Sequence, residues 1–235
     1  ERTKLIVITS PNNPTGVSVD RSFYSALAEL VEKYDTKVLN DFVYGEMEYE
    51  GNGACSMLSV PYFAEFGAEV YSLSKSYSVP GWRVGAMLGS PEMIERLARL
   101  KAHIDYGIFL PIQVASAAAL LAGPNLIKSV VQEYAERARL LTSGLTQLGW
   151  EVRQPCAGAS VWATPPVQLS ESKDVADTLL SEALVAVLPA KAFPADLSEA
   201  PSNNVRFALV ASQAKLREVL SRLRMLGRSA LTLPA

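Results

Sequence analysis

Cysteine is scarce in this chain and histidine almost missing: its 235 residues include two cysteines, Cys55 and Cys156, and one histidine, His103. The cysteines lie far apart and outside any C-x-x-C or Cys/His spacing, so they indicate neither a disulfide framework nor a zinc site, and no metal is expected. A reducing compartment is the default that follows. Chemistry built on a histidine triad has only His103 to draw on, and His103 sits in a helical stretch before "DYGIF", where it reads as structural. Excess positive charge is lacking too. The 22 Lys and Arg face 24 Asp and Glu, a formal charge of −2, without the basic stripe of a nucleic-acid binder. No apolar run approaches the roughly 20 residues of a membrane span, and the opening "ERTKLIVITS" lacks the order of charge, apolar core and cleavage site of a signal peptide. What remains is an ordinary globular composition, 49% apolar, with enough chain to bury a sizeable core in one large domain or two smaller ones.

The first residues already read as a buried strand, and no methionine precedes them, so the chain is expected to lack an N-terminal part. A β-branched run over 4–10 stops at the turn signal "PNNPTG". Asp20 can cap a helix whose Phe23, Ala26, Leu27, Leu30 and Val31 recur at helical spacing, and "KVLND" supplies a second strand at 37–41. Further strands fit 68–74 and 83–89. Alternating strands and helices imply an α/β layer architecture. The middle turns helical, from Pro91 and again in "PIQVASAAALLAG", whose small residues allow close packing. A long amphipathic pattern over 126–148 ends at Gly149. Beyond it, short strands at "EVRQ", "SVWAT", "LVAVLP" and "NVRFALV" and helices near 173–183 and 212–226, the last closed by Gly227, read as a small α+β domain.

Lys75 stands between serines in "SLSKSYSVPGWRVG", residues 72–85, with Arg83 further along. A lysine at a strand end is ordinarily a solvated charge. One that is screened from water among strand ends instead serves as a nucleophile able to form a Schiff base with an aldehyde. Serines beside it and a guanidinium nearby suit a phosphate, the guanidinium through two parallel charge-assisted hydrogen bonds. Asn13 and Asp41 also fall at strand ends, where open α/β sheets bind ligands. Taken singly, each residue has a plainer reading: Asp41 as a cap, Asn13 as a turn residue bonded to its own backbone, Tyr44 as a packed ring, Arg206 as half of a structural ion pair.

Four segments in one order change that weighing. "SPNNPTG" at 10–16, "NDFVYGEM" at 40–47, "SLSKSYSVPGWRVG" and "NNVRFALV" at 203–210 resemble the N-P-x-G, D-x-x-Y, S-x-x-K…GxRxG and carboxylate-binding arginine elements of fold type I aminotransferases. The resemblance covers essentially the whole chain, and "LKAHIDYGIFLPIQVASAAAL" looks most like the bacterial alanine aminotransferases and their methionine and diaminopimelate relatives. It implies the α/β fold of the type I pyridoxal-phosphate enzymes: the C-terminal portion of a large domain with a mostly parallel sheet over 1–123, then a linker helix and small α+β domain over 124–235. It implies pyridoxal 5′-phosphate as cofactor, transfer of an amino group from an alanine-like amino acid to a 2-oxoglutarate-like 2-oxo acid, and a cytoplasmic homodimer.

Residue by residue, the resemblance implies that Lys75 holds the cofactor covalently and shuttles the substrate proton. Asp41 pairs with the pyridine nitrogen, Tyr44 and Asn13 donate to the ring oxygen, and Ser72, Ser74 and Arg83 bind the phosphate. Arg206 clamps the substrate carboxylate, with Asn13 also on the substrate side. Tyr106 and Phe109 are placed near substrate or a partner subunit, or else are packed. The remaining phosphate loop and the ring that stacks on the cofactor belong, in the family, to a region N-terminal to this chain. Ala190 and Pro194 stand where relatives often have a Pro-Gly turn, and Ser160 where an aromatic residue is common. Two rivals share the scaffold: a β-elimination lyase, and a catalytically incomplete cofactor-binding fragment. A Rossmann-type nucleotide binder is disfavoured because "PNNPTG" replaces G-x-G-x-x-G.

Overall fold

The computed structural model describes residues 2–49, 54–166, 175–193 and 203–230. The chain divides into two compact units, Glu1–Asn13, Val17–Gln132 and Cys156–Gly158 forming one, and Pro14–Gly16, Glu133–Pro155 and Ala159–Ala235 the other.

In the first unit β1 (Leu5–Thr9), β2 (Lys37–Asp41) and β3 (Gly67–Ser72) run parallel, and β4 (Gly85–Gly89) pairs antiparallel with β3. β1 forms where expected but is not the buried strand expected, since Leu5 and Val7 on one face are exposed. The helix between the first two strands, α1 (Arg21–Tyr34), starts where expected: Asp20 accepts the Phe23 N–H at 2.9 Å, satisfying one of the orphan donors of the first turn. Its buried face is Tyr24, Ala28 and Val31, with Leu27 packed against the core; of the expected stripe Leu27 and Val31 face inward, whereas Phe23, Ala26 and Leu30 are exposed. The core decides this. Val38 of β2 and Phe63 of α2 (Tyr62–Phe66) make a socket in which the Tyr24 ring meets Phe63 edge-on at 6.4 Å. Each such fully buried side chain stabilises the fold by about 1.5–3 kcal/mol.

Two strand boundaries shift from the expected ones. β3 ends at Ser72 because the chain winds into a single helical turn, α3 (Leu73–Ser76). β4 begins at Gly85, because Arg83 adopts a left-handed conformation with φ 57° instead of an extended one. The helices α4 (Pro91–Ile104) and α5 (Leu110–Leu121) start with proline in the first turn, as expected. Among the described residues the close packing expected of α5 is not found: Leu110, Val114 and Leu121 on one face of it are exposed, as are Leu97, Leu100 and Ile104 on one face of α4 and Tyr106 and Phe109 between the two.

The long helix α6 (Asn125–Gln147) passes through the division between the units. Gly149 ends it with φ 83°: its N–H reaches the Thr146 carbonyl at 3.0 Å and that of Trp150 reaches Leu145 at 3.1 Å, the paired bonds of a Schellman motif.

The second unit holds an antiparallel sheet of β5 (Glu151–Val152), β6 (Ser160–Thr164), β8 (Val205–Ala208) and β7 (Leu188–Pro189), in that order. The strand expected over 184–189 shrinks to its last two residues, since Leu184 is left-handed at φ 53°. Val161, Val205 and Phe207 of the sheet bury with Leu141 and Leu145 of α6, Leu179 of α7 (Val175–Ala183), and Leu216, Leu220 and Leu223 of α8 (Gln213–Ala230). Gly227 does not close that last helix, which continues to Ala230. One internal glycine costs about 1 kcal/mol against alanine, too little to stop a packed helix. Lys173, Asp174 and Pro194 lie outside the described residues. Among the described residues no single helix is long and apolar enough to cross a membrane.

Candidate active site

The three parallel strands bring their carboxyl ends to one side of the first sheet, with Asp41, the last residue of β2, opposite Thr9 of β1 and Val70 of β3. Asn40 beside it faces the core, fully buried, its amide donating to the Tyr24 hydroxyl at 3.1 Å and to Glu69 Oε1 at 2.9 Å. Glu69, equally enclosed, also accepts from the Ser56 hydroxyl and the Met57 N–H, both at 2.6 Å. Strand alternation therefore turns Asp41 to the opposite face.

There Asp41 Oδ1 accepts the Val43 N–H at 3.3 Å and opens a tight turn, in which Gly45 N–H bonds the Phe42 carbonyl and Met47 N–H that of Tyr44, each at 2.9 Å. A Cβ at position 45 would lie 2.1 Å from a Phe42 ring carbon, so any larger residue there requires that ring to move. Phe42 N–H ties the turn to the Val70 carbonyl at 3.0 Å. The residues after the turn are held by Cys156–Gly158: Tyr49 N–H bonds the Cys156 carbonyl at 2.8 Å, Gly158 N–H bonds that of Met47 at 3.1 Å, and the Tyr49 hydroxyl reaches the Gly158 carbonyl at 2.8 Å. Tyr44, at the centre of this segment, is buried.

Lys75 is delivered by α3. Ser72 caps that turn, its Oγ accepting the Ser74 N–H at 3.2 Å while its hydroxyl donates to the Val84 carbonyl at 3.4 Å. Leu73 and Ser76 are the buried residues of the turn, which leaves Lys75 half-buried. Its Nζ lies 5.5 Å from the centroid of the Tyr44 ring, and among the described residues it has no hydrogen bond or ion pair. An amine held against an aromatic face, without a counter-ion, keeps its bonding capacity for a ligand.

The other expected residues are more scattered. Arg83 is exposed in the loop before β4, its guanidinium donating to the Pro80 carbonyl at 3.0 Å. Asn13 is exposed in the turn after β1 that the Asn12 N–H closes onto Val17 at 2.8 Å. Arg206 belongs to the second unit, half-buried on β8 opposite Trp162 and Leu188, with its guanidinium 5.5 Å from the Phe193 ring centroid. Ser160 is buried on β6 and donates to the Pro14 carbonyl at 3.2 Å. His103, read as structural, is exposed on α4.

The family model for aminotransferase class I and II matches residues 1–223. This chain belongs to the class I and II aminotransferases. As a member of that family it is 34% identical over 234 residues to glutamate-pyruvate aminotransferase AlaC of Escherichia coli, covering 99% of this chain and 56% of that one. It is 36% identical over 228 residues to the LL-diaminopimelate aminotransferase of Moorella thermoacetica, covering 97% of this chain and 57% of that one. The apo structure of BacF from Bacillus subtilis superposes with a TM-score of 0.87 at 31% identity, over 97% of this chain and 60% of that one. The fold is thus that of the type I enzymes, and the chain spans somewhat more than half the length of the relatives it matches.

Sequence reasoning missed three side chains that shape the site of this class I and II aminotransferase. Asn40 and Glu69 anchor the strands beneath Asp41, and Glu46 accepts a hydrogen bond from the Tyr71 hydroxyl. A glutamate inside the apolar strand "AEVYSLS" was the available signal, since an acid on a core face needs buried donors.

Proposed function

We propose that the chain is the larger share of an aminotransferase that moves an amino group from alanine to 2-oxoglutarate. One observation carries the reading: Lys75 Nζ stands 5.5 Å from the Tyr44 ring, beside the turn that begins at Asp41. The donor set fits pyridoxal 5′-phosphate, with an amine for the aldehyde that has no hydrogen bond or ion pair among the described residues, a carboxylate at the neighbouring strand end, and hydroxyls and a guanidinium before and after the lysine in the sequence. When bound, that cofactor supplies an aldehyde carbon and an electron-accepting pyridine ring.

Lys75 would hold the aldehyde carbon through Nζ and, once an incoming amine releases it, carry the proton that leaves the substrate α-carbon. Asp41 would keep a proton on the ring nitrogen. Tyr44 and Asn13 would donate to the ring oxygen. Ser72, Ser74 and Arg83 would take the phosphate, Arg83 giving up its bond to the Pro80 carbonyl, which its exposed position allows. Arg206 is assigned the substrate α-carboxylate, two parallel hydrogen bonds orienting the α-hydrogen. The alanine and 2-oxoglutarate pair draws support from the Escherichia coli relative, a glutamate-pyruvate aminotransferase. LL-diaminopimelate is the competing donor, on the strength of the Moorella relative. The acting form assigned is a homodimer of the whole protein, on the family resemblance.

The test is borohydride trapping with pyridoxal 5′-phosphate, followed by peptide mass mapping. Label is expected on Lys75 and absent from Lys75→Ala; label confined to other lysines would refute the reading. Pyruvate formation from alanine with 2-oxoglutarate, set against turnover of LL-diaminopimelate, then decides the donor.

A further inference from the structure

Tyr71 and Glu46 are named by none of the motifs and take no part in the chemistry assigned above, yet they join its two halves. Glu46 lies in the turn that carries Asp41 and Tyr44, two residues after Tyr44. Tyr71 lies on β3, immediately before the Ser72 cap and four residues before Lys75. We propose that the hydrogen bond from the Tyr71 hydroxyl to the Glu46 carboxylate is a brace that sets the position of the Tyr44 side chain over Lys75. Both are therefore positioning residues for the reaction, a role that rests on the reading of Lys75 and Tyr44 given above.

Backbone bonds hold the turn at Phe42, at Gly45 and at Met47, and the Tyr71 hydroxyl adds a side-chain tie at Glu46, between the last two. The Tyr71–Glu46 bond is a side-chain link between that turn and the strand that leads into Lys75. Both partners are half-buried, where a hydrogen bond to a carboxylate is stronger than one in water. Burial first, and the Glu46 bond second, hold the Tyr71 phenol well above its ordinary range. It thus stays a donor at any pH at which the protein works.

The test is a mutant cycle of Tyr71→Phe, Glu46→Leu, the double variant and Glu46→Gln. The first readout is the pyridoxal 5′-phosphate concentration that gives half-maximal borohydride trapping at Lys75. Each single loss should raise it about tenfold, the double no further than either single, and Glu46→Gln, whose amide oxygen still accepts, less than about threefold. Effects that multiply in the double variant, or singles that trap like the unaltered chain, overturn the brace. The second readout needs no cofactor: hydrogen exchange at Gly45 and Met47 in the cofactor-free chain. Tyr71→Phe and Glu46→Leu should each speed it about tenfold, Glu46→Gln alone should keep most of the protection, and unchanged exchange in the first two overturns the brace as well. A chain that traps nothing at Lys75, yet shows the exchange pattern, refutes the aminotransferase reading and leaves the brace standing.

Discussion

Replacing Glu69 by methionine keeps the volume of the side chain and removes its acceptors, so it measures what the buried network under Asp41 contributes. Glu69 is 4% exposed and accepts three hydrogen bonds, from the Asn40 amide, the Ser56 hydroxyl and the Met57 N–H. Ser56 is half-buried and can turn to water, but Asn40 and Met57 are fully enclosed. Two donors are thus left without acceptors, each costing about 1–3 kcal/mol. Part of that is offset because a carboxylate no longer has to be stripped of water. The expected net loss is about 3 kcal/mol, a fall of roughly 6–12 °C in Tm for a chain of this length. Glutamine keeps an oxygen for Asn40 and Met57 and presents an amide that Ser56 Oγ can accept, so Glu69→Gln should lose only about 1 kcal/mol. Urea and thermal unfolding followed by circular dichroism at pH 7 read both variants. A methionine variant within 1 kcal/mol of the parent, or a glutamine variant as damaged as the methionine one, refutes the reasoning.

Tyr24 is pushed up to about 12 by burial, against 10.0 for an exposed tyrosine. The folded state therefore holds that proton more tightly, and its contribution to stability is whole below pH 10 and lost as pH rises towards 12. Tyr24→Phe should flatten this part of the stability curve, and an unchanged slope counts against it. The Asp20 carboxyl is held below its usual range by the Ser22 hydroxyl and the Phe23 N–H, so the cap weakens as pH falls through the carboxylate range. Asp20→Ala should speed amide exchange at Phe23 and remove that acid sensitivity locally, and slow exchange in the variant would show that the cap is not Asp20. The apolar faces of α4 and α5 should bind the dye ANS in the folded chain; Ile104→Lys with Leu121→Glu should cut that signal sharply, and an undiminished signal would place the dye elsewhere.

The elements that could be read beforehand are those whose determinants are local. The β-branched run of β1, the Asp20 cap, the proline starts of α4 and α5 and the glycine end of α6 all fall where residue chemistry within one turn requires them. The four motif segments led to the right family for the same reason: each is short and keeps its order. What escaped was non-local. Tyr24 rather than Phe23 faces inward because Phe63 and Asn40, far along the chain, make a socket for it. Arg83 leaves its expected strand because the loop after α3 needs a left-handed residue there. The exposure of α4 and α5 was equally hidden, since apolar periodicity marks a face that seeks a partner without saying whether this chain supplies one.

The three residues Cys156–Gly158 have a consequence for anyone wishing to recombine this protein with a relative. They come after α6 in the sequence and yet belong to the first unit, where they grip the segment that follows Tyr44. A gene spliced at the middle of α6 would thus hand the first unit a foreign clasp in place of its own. The halves are not independent cassettes, since a splice there has to preserve the backbone path at residues 156–158 together with the turn it holds.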